Sequence, residues 1–212
     1  MLGIHDLWLF IVSGILFNMA PGPDVIYVVS RSAGQGAKAG MIAALGIGAG
    51  CCVHILAAAV GLSAVLAASA TAFSVIKLVG AAYLVYTGVR MILGARKKEA
   101  SEDTPQTPEI RHRGIFVQGF LTNALNPKVA LFFLAFLPQF IDPAAPQKAL
   151  AFAVLGCILN CTGTTWNLLL AWSTARVAGG LGRARRLGPY LTQGAGALFV
   201  AFGVKLALSE QS

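Results

Sequence analysis

Two polar stretches that contain proline interrupt long apolar segments of the sequence, Asn18–Asp24 and Asn123–Lys128. Each stretch ends in a charged residue, Asp24 in the first and Lys128 in the second. A carboxylate among apolar residues binds an ammonium group or a proton, and an ammonium group there binds a carboxylate. Asp24 and Lys128 therefore have the chemistry to hold a small charged molecule or a proton. A purely structural ion pair between them is the competing interpretation.

The prolines of both stretches predict that the surrounding helices break. Pro21 and Pro23 each remove a backbone donor and clash with the preceding turn, Gly22 relaxes the chain between them, and Pro127 breaks the second segment in the same way. Within lipid, the backbone groups released by a break must be satisfied by protein or by a water-filled cavity. We expect the N–H groups after Gly22 and Asn126 to bind a carboxylate, since helix N-termini carry partial positive charge.

Amide and hydroxyl side chains accompany the charged pair. Asn18, Asn123 and Asn126 offer hydrogen bonds to an amino or carboxyl group, and satisfying the backbone at the breaks explains them equally well. Asn160 and Thr164 share a face of a later apolar segment, and together with Asn167 this face is expected to line a passage. Hydrogen bonding from helix to helix is the alternative for these residues.

His54 is a candidate proton relay inside an apolar segment. It lies one helical turn beyond Cys51, and Cys157 lies one turn before Cys161, so a soft-metal site is a second interpretation. The spacing matches no zinc pattern, and we predict neither a metal nor a cofactor. A nucleophile elbow, a phosphate loop and a metalloprotease helix are all absent from the sequence, which therefore does not predict an enzyme.

Composition places these residues in a membrane protein. Of the 212 residues, 57% are hydrophobic and only 11% are charged, with a mean hydropathy of +0.74. A soluble domain carries about a quarter of its residues charged. The net charge of +8 would suit nucleic acid in a soluble protein, but the basic residues flank apolar segments, so we predict a lipid bilayer and no nucleic acid as partner.

Six apolar segments are long enough to cross a bilayer, and the first and fourth are interrupted. The first segment is predicted to remain in the protein as a transmembrane segment and not to be a cleaved signal peptide. In the second, Gly46 and Gly50 have the spacing that lets another helix approach closely. The segments are about Leu7–Ser30, Met41–Leu66, Phe73–Leu93, Ile115–Ile141, Ala149–Trp172 and Tyr190–Leu208.

Short connections join the segments. We expect a loop at Arg31–Gly40, a neutral turn at Ala67–Ser74, a polar linker at Glu99–Arg113 and a loop at Asp142–Lys148. The chain is therefore predicted to be one polytopic domain, with a first repeat at about 1–95, a linker at about 96–114 and a second repeat at about 115–212.

Basic residues predict the orientation. The loops after segments one, three and five are strongly basic, whereas the loops on the other side of the membrane carry little positive charge beyond Lys148. The basic loops are therefore expected to be cytoplasmic and both termini periplasmic. Five crossings with a re-entrant fourth segment would put the termini on opposite sides, and this is the alternative topology. The residues of the basic loops are Arg31, Lys38, Arg96, Lys97, Lys98, Arg111, Arg113, Arg176, Arg183, Arg185 and Arg186.

The two halves of the chain resemble each other in order. Pro23–Val25 aligns with Pro127–Val129, and Gly88–Leu93 aligns with Gly203–Leu208. Three crossings in each half make the halves antiparallel, so the predicted fold is an all-α membrane protein of six helices in two inverted repeats. In such proteins the interrupted helices meet near the midplane and form the binding site.

Several motifs in one order are similar to those of the LysE/RhtB family of amino-acid exporters. The resemblance covers nearly the whole chain and implies a bacterial inner-membrane protein that exports amino acids or close derivatives, driven by the proton gradient. It does not specify the amino acid. The motifs are Asn18–Asp24, Gly34-x-Gly36-x-x-Ala39-Gly40, Lys77–Leu84, Phe120–Lys128, Phe132-Phe133 and Leu137–Phe140.

We therefore expect a secondary transporter with an amino acid as substrate and protons as the coupling ion. Asp24, His54 and Lys128 are the predicted coupling residues, because ionisable groups within a membrane are functional by default. A soft-metal-ion exporter and a non-transporting membrane scaffold or sensor are the alternatives. Whether the protein forms a homo-oligomer is left open by the sequence.

Overall fold

A computed structural model describes residues 2–62 and 111–177, together with isolated positions between 75 and 93 and between 197 and 204. Over the two long ranges the chain is helical, with no strand beyond a single bridge between Ile4 and Ile141. A π-helix, Ala58–Leu62, follows α2, and a 3-10 helix, Leu137–Phe140, lies just after α4. The helices are α1 (Leu7–Met19), α2 (Pro23–Ala57), α3 (His112–Ala124), α4 (Pro127–Ala135) and α5 (Lys148–Val177).

Part of the predicted architecture lies outside the described residues. This part holds the turn at Ala67–Ser74, most of the linker at Glu99–Arg113, and the third and sixth segments apart from isolated helical positions. The count of six crossings and the inverted relation of the two halves therefore stay predictions.

The first predicted break is confirmed. α1 ends at Met19, and the N–H of Ala20 closes it by donating to Leu16 O at 3.1 Å and Phe17 O at 3.2 Å. α2 then begins at Pro23, where a missing donor costs nothing because the first turn of a helix has no partner for it. Three residues, 20–22, separate two helices that composition alone would join.

The second predicted break is confirmed as well. α3 ends at Ala124, α4 begins at Pro127, and the two helical parts of this segment are bent by 44°. The polar linker before it ends earlier than predicted, because α3 already begins at His112 and includes Arg113. The 3-10 turn at Leu137–Phe140 was not predicted, and it places Pro138 in a short helix where its missing N–H is harmless.

The predicted loop at Arg31–Gly40 is wrong. These residues are helical except at Gly36, whose φ of 83° and ψ of 175° are accessible in practice only to glycine. A Cβ atom placed on Gly40 would lie 2.6 Å from Ser32 Cβ. Eight residues of straight helix would separate these positions by about 12 Å, so the chain reverses at Gly36.

The contacts of α3 show the same reversal. Asp24 contacts Asn123 near the C-terminal end of α3, whereas Tyr27 and Arg31, further along α2, contact Ile115 and Gln118 nearer its beginning. In the part of α2 after Gly36, Gly46 and Gly50 instead contact Phe116 and Phe120 in ascending order. The two arms of α2 therefore run in opposite directions. We call them α2a (residues 23–35) and α2b (residues 37–57).

Helix α3 approaches α2b at backbone distance. A Cβ atom on Gly46 or Gly50 would overlap the carbonyl oxygen of Phe116 or Phe120, and one on Gly119 would lie 2.7 Å from Ala43 O. Gly46 and Gly50 thus allow the close helix approach that their spacing predicts, and the approaching helix is α3. Larger side chains there would force the two helices apart.

Aromatic rings join α1 to the end of the other broken segment. Phe17 stacks on Phe132 with ring centroids 3.8 Å apart, and Phe10 contacts Phe140 at 5.2 Å. At the far end, Asp142 N donates to Gly3 O at 2.8 Å. α1 therefore runs antiparallel to α4, just as α2a runs antiparallel to α3, and the two breaks lie at the same level.

Helix α5 packs beside these broken segments and is longer than predicted. It continues to Val177, so Arg176 belongs to the helix and not to the following loop, and its guanidinium lies 4.8 Å from the Trp172 ring centroid. Arg31 also leaves the predicted loop: it is only 6% exposed and donates to Gln118 Oε1 at 3.1 Å.

The described helices suit a bilayer in length and composition. Lys148–Arg176 is long and apolar enough to cross one, as is the bent pair of α3 and α4 when taken as one span. The stretch Pro23–Gly61 also has the required length and composition, but because α2 reverses at Gly36 only the part after Gly36 can cross as a straight helix. Large apolar side chains such as Trp8, Leu56 and Leu169 are exposed on the outside of the helices. An apolar exterior of this kind is stable in lipid and costly in water.

Replacing Gly36 by alanine tests the reversal of α2. We expect Gly36→Ala to destabilise the protein by about 1–3 kcal/mol, because a Cβ atom is strained at that φ and ψ although it meets no neighbour. The measurement is thermal unfolding in detergent, followed by circular dichroism. Gly61→Ala is the matched control, since Gly61 also has open space around it and no positive φ. Equal melting temperatures would contradict the sharp turn.

Candidate functional site

Asp24 lies at the level where the two broken segments cross. It stands in the first turn of α2a, and its carboxylate accepts hydrogen bonds from two amides of the other break. Asn123 Nδ2 donates to Oδ2 at 2.9 Å and Asn126 Nδ2 donates to Oδ1 at 3.2 Å. Amide donors stabilise a carboxylate away from water, so the structure holds a negative charge at this depth.

Asn126 connects Asp24 to the start of α4. While its amide nitrogen donates to Asp24, its Oδ1 accepts from the backbone N–H of Lys128 at 3.0 Å, which caps the helix. The N–H groups of Val129 and Ala130 donate to Asn126 O. These N–H groups are already used within the break, so this conformation gives no support to the predicted carboxylate site after Asn126, which stays a prediction.

Lys128 satisfies the end of α1. Its Nζ donates to Ala20 O at 3.0 Å and to Phe17 O at 3.3 Å, and it lies 4.5 Å from the Phe17 ring centroid. Because α1 ends here, Ala20 O has no N–H of a following turn to accept from, whereas Phe17 O also accepts from the N–H of Ala20. These contacts support the interpretation that Lys128 closes the break, and they leave Asp24 as the charge nearer to the cavity described below.

His54 performs the corresponding task at the end of α3. Its Nε2 lies 2.9 Å from Asn123 O, and because a carbonyl oxygen only accepts, Nε2 carries the proton. Asn123 thus joins His54 to Asp24, by its backbone on one side and its side chain on the other. The predicted coupling residues are brought into one hydrogen-bonded cluster by this arrangement.

A small cavity of about 40 Å³ opens beside Asp24. This volume holds a few water molecules, each of which needs about 10–15 Å³. Five of its six polar lining residues were predicted as binding residues, and the sixth, Asn167, was predicted to share the face of α5 that lines a passage. The six are Asn18, Asp24, Asn123, Asn160, Thr164 and Asn167.

The opposite part of the cavity wall is apolar. It comprises Phe17, Ile47, Cys51, Val129 and Leu159, from four different helices. Apart from Cys51, which was weighed only as a metal ligand, sequence reasoning missed these residues, since an apolar side chain facing a cavity has the same sequence signal as one facing lipid. Pro21, Gly22, Pro23 and Pro127 are absent from the lining and contribute by forming the breaks.

The polar residues of α5 also join helices. Asn18 Nδ2 donates to Leu159 O at 3.3 Å and to Thr162 Oγ1 at 3.2 Å, and Asn160 Nδ2 donates to Gly48 O at 3.1 Å. Thr164 donates to Asn160 Oδ1 at 3.2 Å. Both interpretations of these residues therefore have support, because the same side chains line the cavity and hold α1 and α2b against α5.

The soft-metal interpretation gains no support from the part of the chain that the structure describes. No group of three or more His, Cys, Asp and Glu side chains there is placed to hold a metal ion. Cys51 is buried beside the cavity, whereas Cys157 and Cys161 are exposed on the outside of α5.

Comparison with known proteins gives a consistent result. The sequence profile of the family described as LysE type translocator matches residues 15–210. An uncharacterized membrane protein of Pseudomonas aeruginosa is 38% identical over 213 residues, covering 100% of this chain and 99% of the relative. Proteins named leucine efflux protein in Salmonella typhimurium and Enterobacter sp. are each 28% identical, covering 97% of this chain and 96% of each relative. No solved structure matches the chain.

Lys128→Met tests whether the ammonium group closes the break after α1. Methionine keeps the length of the stem but removes the donors, so we expect a loss of about 1–3 kcal/mol for the Ala20 carbonyl left unpaired, whereas Phe17 O keeps the N–H of Ala20 as its donor. Thermal unfolding in detergent measures the effect. Lys38→Met is the matched control, because Lys38 lies exposed on α2b. Equal stability of the two variants would contradict the role assigned to Lys128.

Proposed function

The chain belongs to the LysE type translocator family, and from this premise we propose that it exports an aliphatic amino acid such as leucine across the bacterial inner membrane. It is a transporter and not an enzyme. The observation that carries the proposal is the cavity at the crossing of two broken segments, which combines a buried carboxylate, amides and an apolar wall. An amino acid with an alkyl side chain has the matching chemistry.

The apolar wall supports an aliphatic substrate. Phe17, Ile47, Val129 and Leu159 present only hydrocarbon to the cavity, and burying a leucine side chain against such a surface contributes about 1.5–3 kcal/mol. Relatives covering nearly the whole chain bear the name leucine efflux protein. Both observations favour leucine or a similar amino acid over a charged one.

The size of the cavity supports alternating access. An amino acid is much larger than the few waters that about 40 Å³ can hold, so the helices must separate to admit it. We propose that the substrate carboxylate then binds the N–H groups at the start of α2a. Gly22 caps that helix with no side-chain hydrogen bond, and the Lys128 ammonium group lies beside it, 3.4 Å from the place that a Cβ atom of Gly22 would take.

We propose proton antiport as the energy source. Substrate ammonium and a proton compete for the Asp24 carboxylate, so that one leaves as the other binds. His54 and Lys128 adjust this exchange through Asn123 and Asn126, which contact Asp24 directly. The proposal includes six crossings in two inverted repeats, with both termini periplasmic.

Transport into vesicles tests the function. In proteoliposomes made with the purified full-length protein, we expect a pH gradient to drive uptake of radiolabelled L-leucine, and collapse of the gradient to abolish the accumulation. A panel of the other amino acids in the same assay establishes the substrate range. Leucine uptake that is the same with and without the pH gradient would contradict proton coupling. A non-transporting scaffold or sensor would instead give no flux for any amino acid.

Asp24→Asn separates coupling from simple passage. The variant keeps the size of the side chain but cannot hold a proton or pair with ammonium, so we expect gradient-driven accumulation of leucine to disappear. Asp6→Asn is the control, because Asp6 is exposed near the N-terminus, away from the cavity, and should transport normally. Unchanged accumulation by Asp24→Asn would show that the carboxylate has no part in coupling.

A further inference from the structure

Two buried amide oxygens at the cavity have no hydrogen-bond partner. They are Asn123 Oδ1 and Asn167 Oδ1, and their residues are only 4% and 6% exposed. Both residues line the cavity together with Asp24. A buried acceptor without a donor is unfavourable, and in a functional protein it indicates a ligand or water that completes the site.

The orientation of Asn123 leaves its oxygen available as an acceptor. Its Nδ2 donates to Asp24 Oδ2 at 2.9 Å, and exchanging the two amide atoms would place oxygen against oxygen. The oxygen therefore faces away from the carboxylate that its own nitrogen binds. A donor entering the cavity meets this oxygen beside the negative charge of Asp24.

Residues from three helices thus bring acceptors to the wall of the cavity: the Asp24 carboxylate on α2a, Asn123 Oδ1 on α3 and Asn167 Oδ1 on α5. A primary ammonium group has three N–H donors and no acceptor, so it can satisfy all three, whereas a water molecule donates only two hydrogen bonds. A carboxylate placed among these three acceptors would be repelled by Asp24 and would leave the amide oxygens without donors.

We propose that Asp24, Asn123 and Asn167 form the binding site for the primary ammonium group of the transported amino acid, a proposal that rests on the function inferred above. Asn167 is a specificity residue in this site, because it supplies the acceptor from the helix opposite the two breaks. The alkyl side chain of the same amino acid then packs against Phe17 and Leu159 in the apolar wall.

The site makes a prediction about fragments of leucine. The amine 3-methylbutylamine keeps the ammonium group and the alkyl chain but lacks the carboxylate, whereas 4-methylpentanoate keeps the carboxylate and lacks the ammonium group. We expect the purified full-length protein in detergent to bind the amine at least about tenfold more tightly than the acid, as one charge-assisted hydrogen bond is worth that factor or more. Isothermal titration calorimetry measures both. Equal affinity, or preference for the acid, would overturn the proposal.

Variants of Asn167 test the role of its oxygen. Asn167→Leu removes the acceptor, and we expect amine binding to weaken by about 10- to 100-fold. Asn167→Asp keeps an oxygen in place and adds negative charge, so it should bind the amine at least as well as the parent protein. Thr165→Val is the control, since Thr165 is exposed on the outer face of α5. Equal losses in the Leu and Asp variants would contradict an acceptor at this position.

Sodium ions are the other cation that three oxygen ligands suit. Displacement of the amine by excess sodium chloride, but not by choline chloride, would show an alkali-ion site and overturn the proposal. The outcome is separable from that of the transport assay. Leucine flux without amine binding rejects the ammonium site and leaves export intact, whereas amine binding without flux of any amino acid rejects export.

Discussion

The structure depends on satisfying the backbone groups that two helix breaks expose within an apolar protein. In water such groups would bond to solvent, but in lipid they need donors from the protein itself. Lys128 serves the end of α1 and His54 serves the end of α3, each from a different helix. The first break is thus closed by Lys128 of the other broken segment, and the second by His54 of α2b together with the hydrogen bonds from Asn123 and Asn126 to Asp24.

Closing the breaks also determines the charge of the cavity. Asp24 and Lys128 occupy equivalent positions just after a proline, but a carboxylate cannot bond to carbonyl oxygens as an ammonium group can. Lys128 therefore turns toward the end of α1, and Asp24 is held by the amides of Asn123 and Asn126. Similar geometry with opposite chemistry leaves one side of the crossing rich in acceptors, which favours a cation.

Local sequence signals predicted the fold where one residue type decides the backbone. Proline located both breaks to within a residue or two, because its missing N–H and its ring act on the adjacent turn whatever surrounds it. The loop at Arg31–Gly40 was wrong because polar residues there resembled a solvated connection. Arg31 instead bonds Gln118 and lies against the Tyr27 ring, and a single glycine reverses the chain.

The sequence by itself determined the membrane environment, the two breaks and most of the polar residues near the cavity, since composition and proline chemistry act locally. Only the tertiary structure decided which atoms remain without partners there. Asp24 meets Asn123 and Asn126 across 99 and 102 positions of sequence, and Asn167 comes from another helix again. Hydrogen-bond pairing and burial arise from such distant contacts, so the unpaired oxygens of Asn123 and Asn167 have no signature in the sequence.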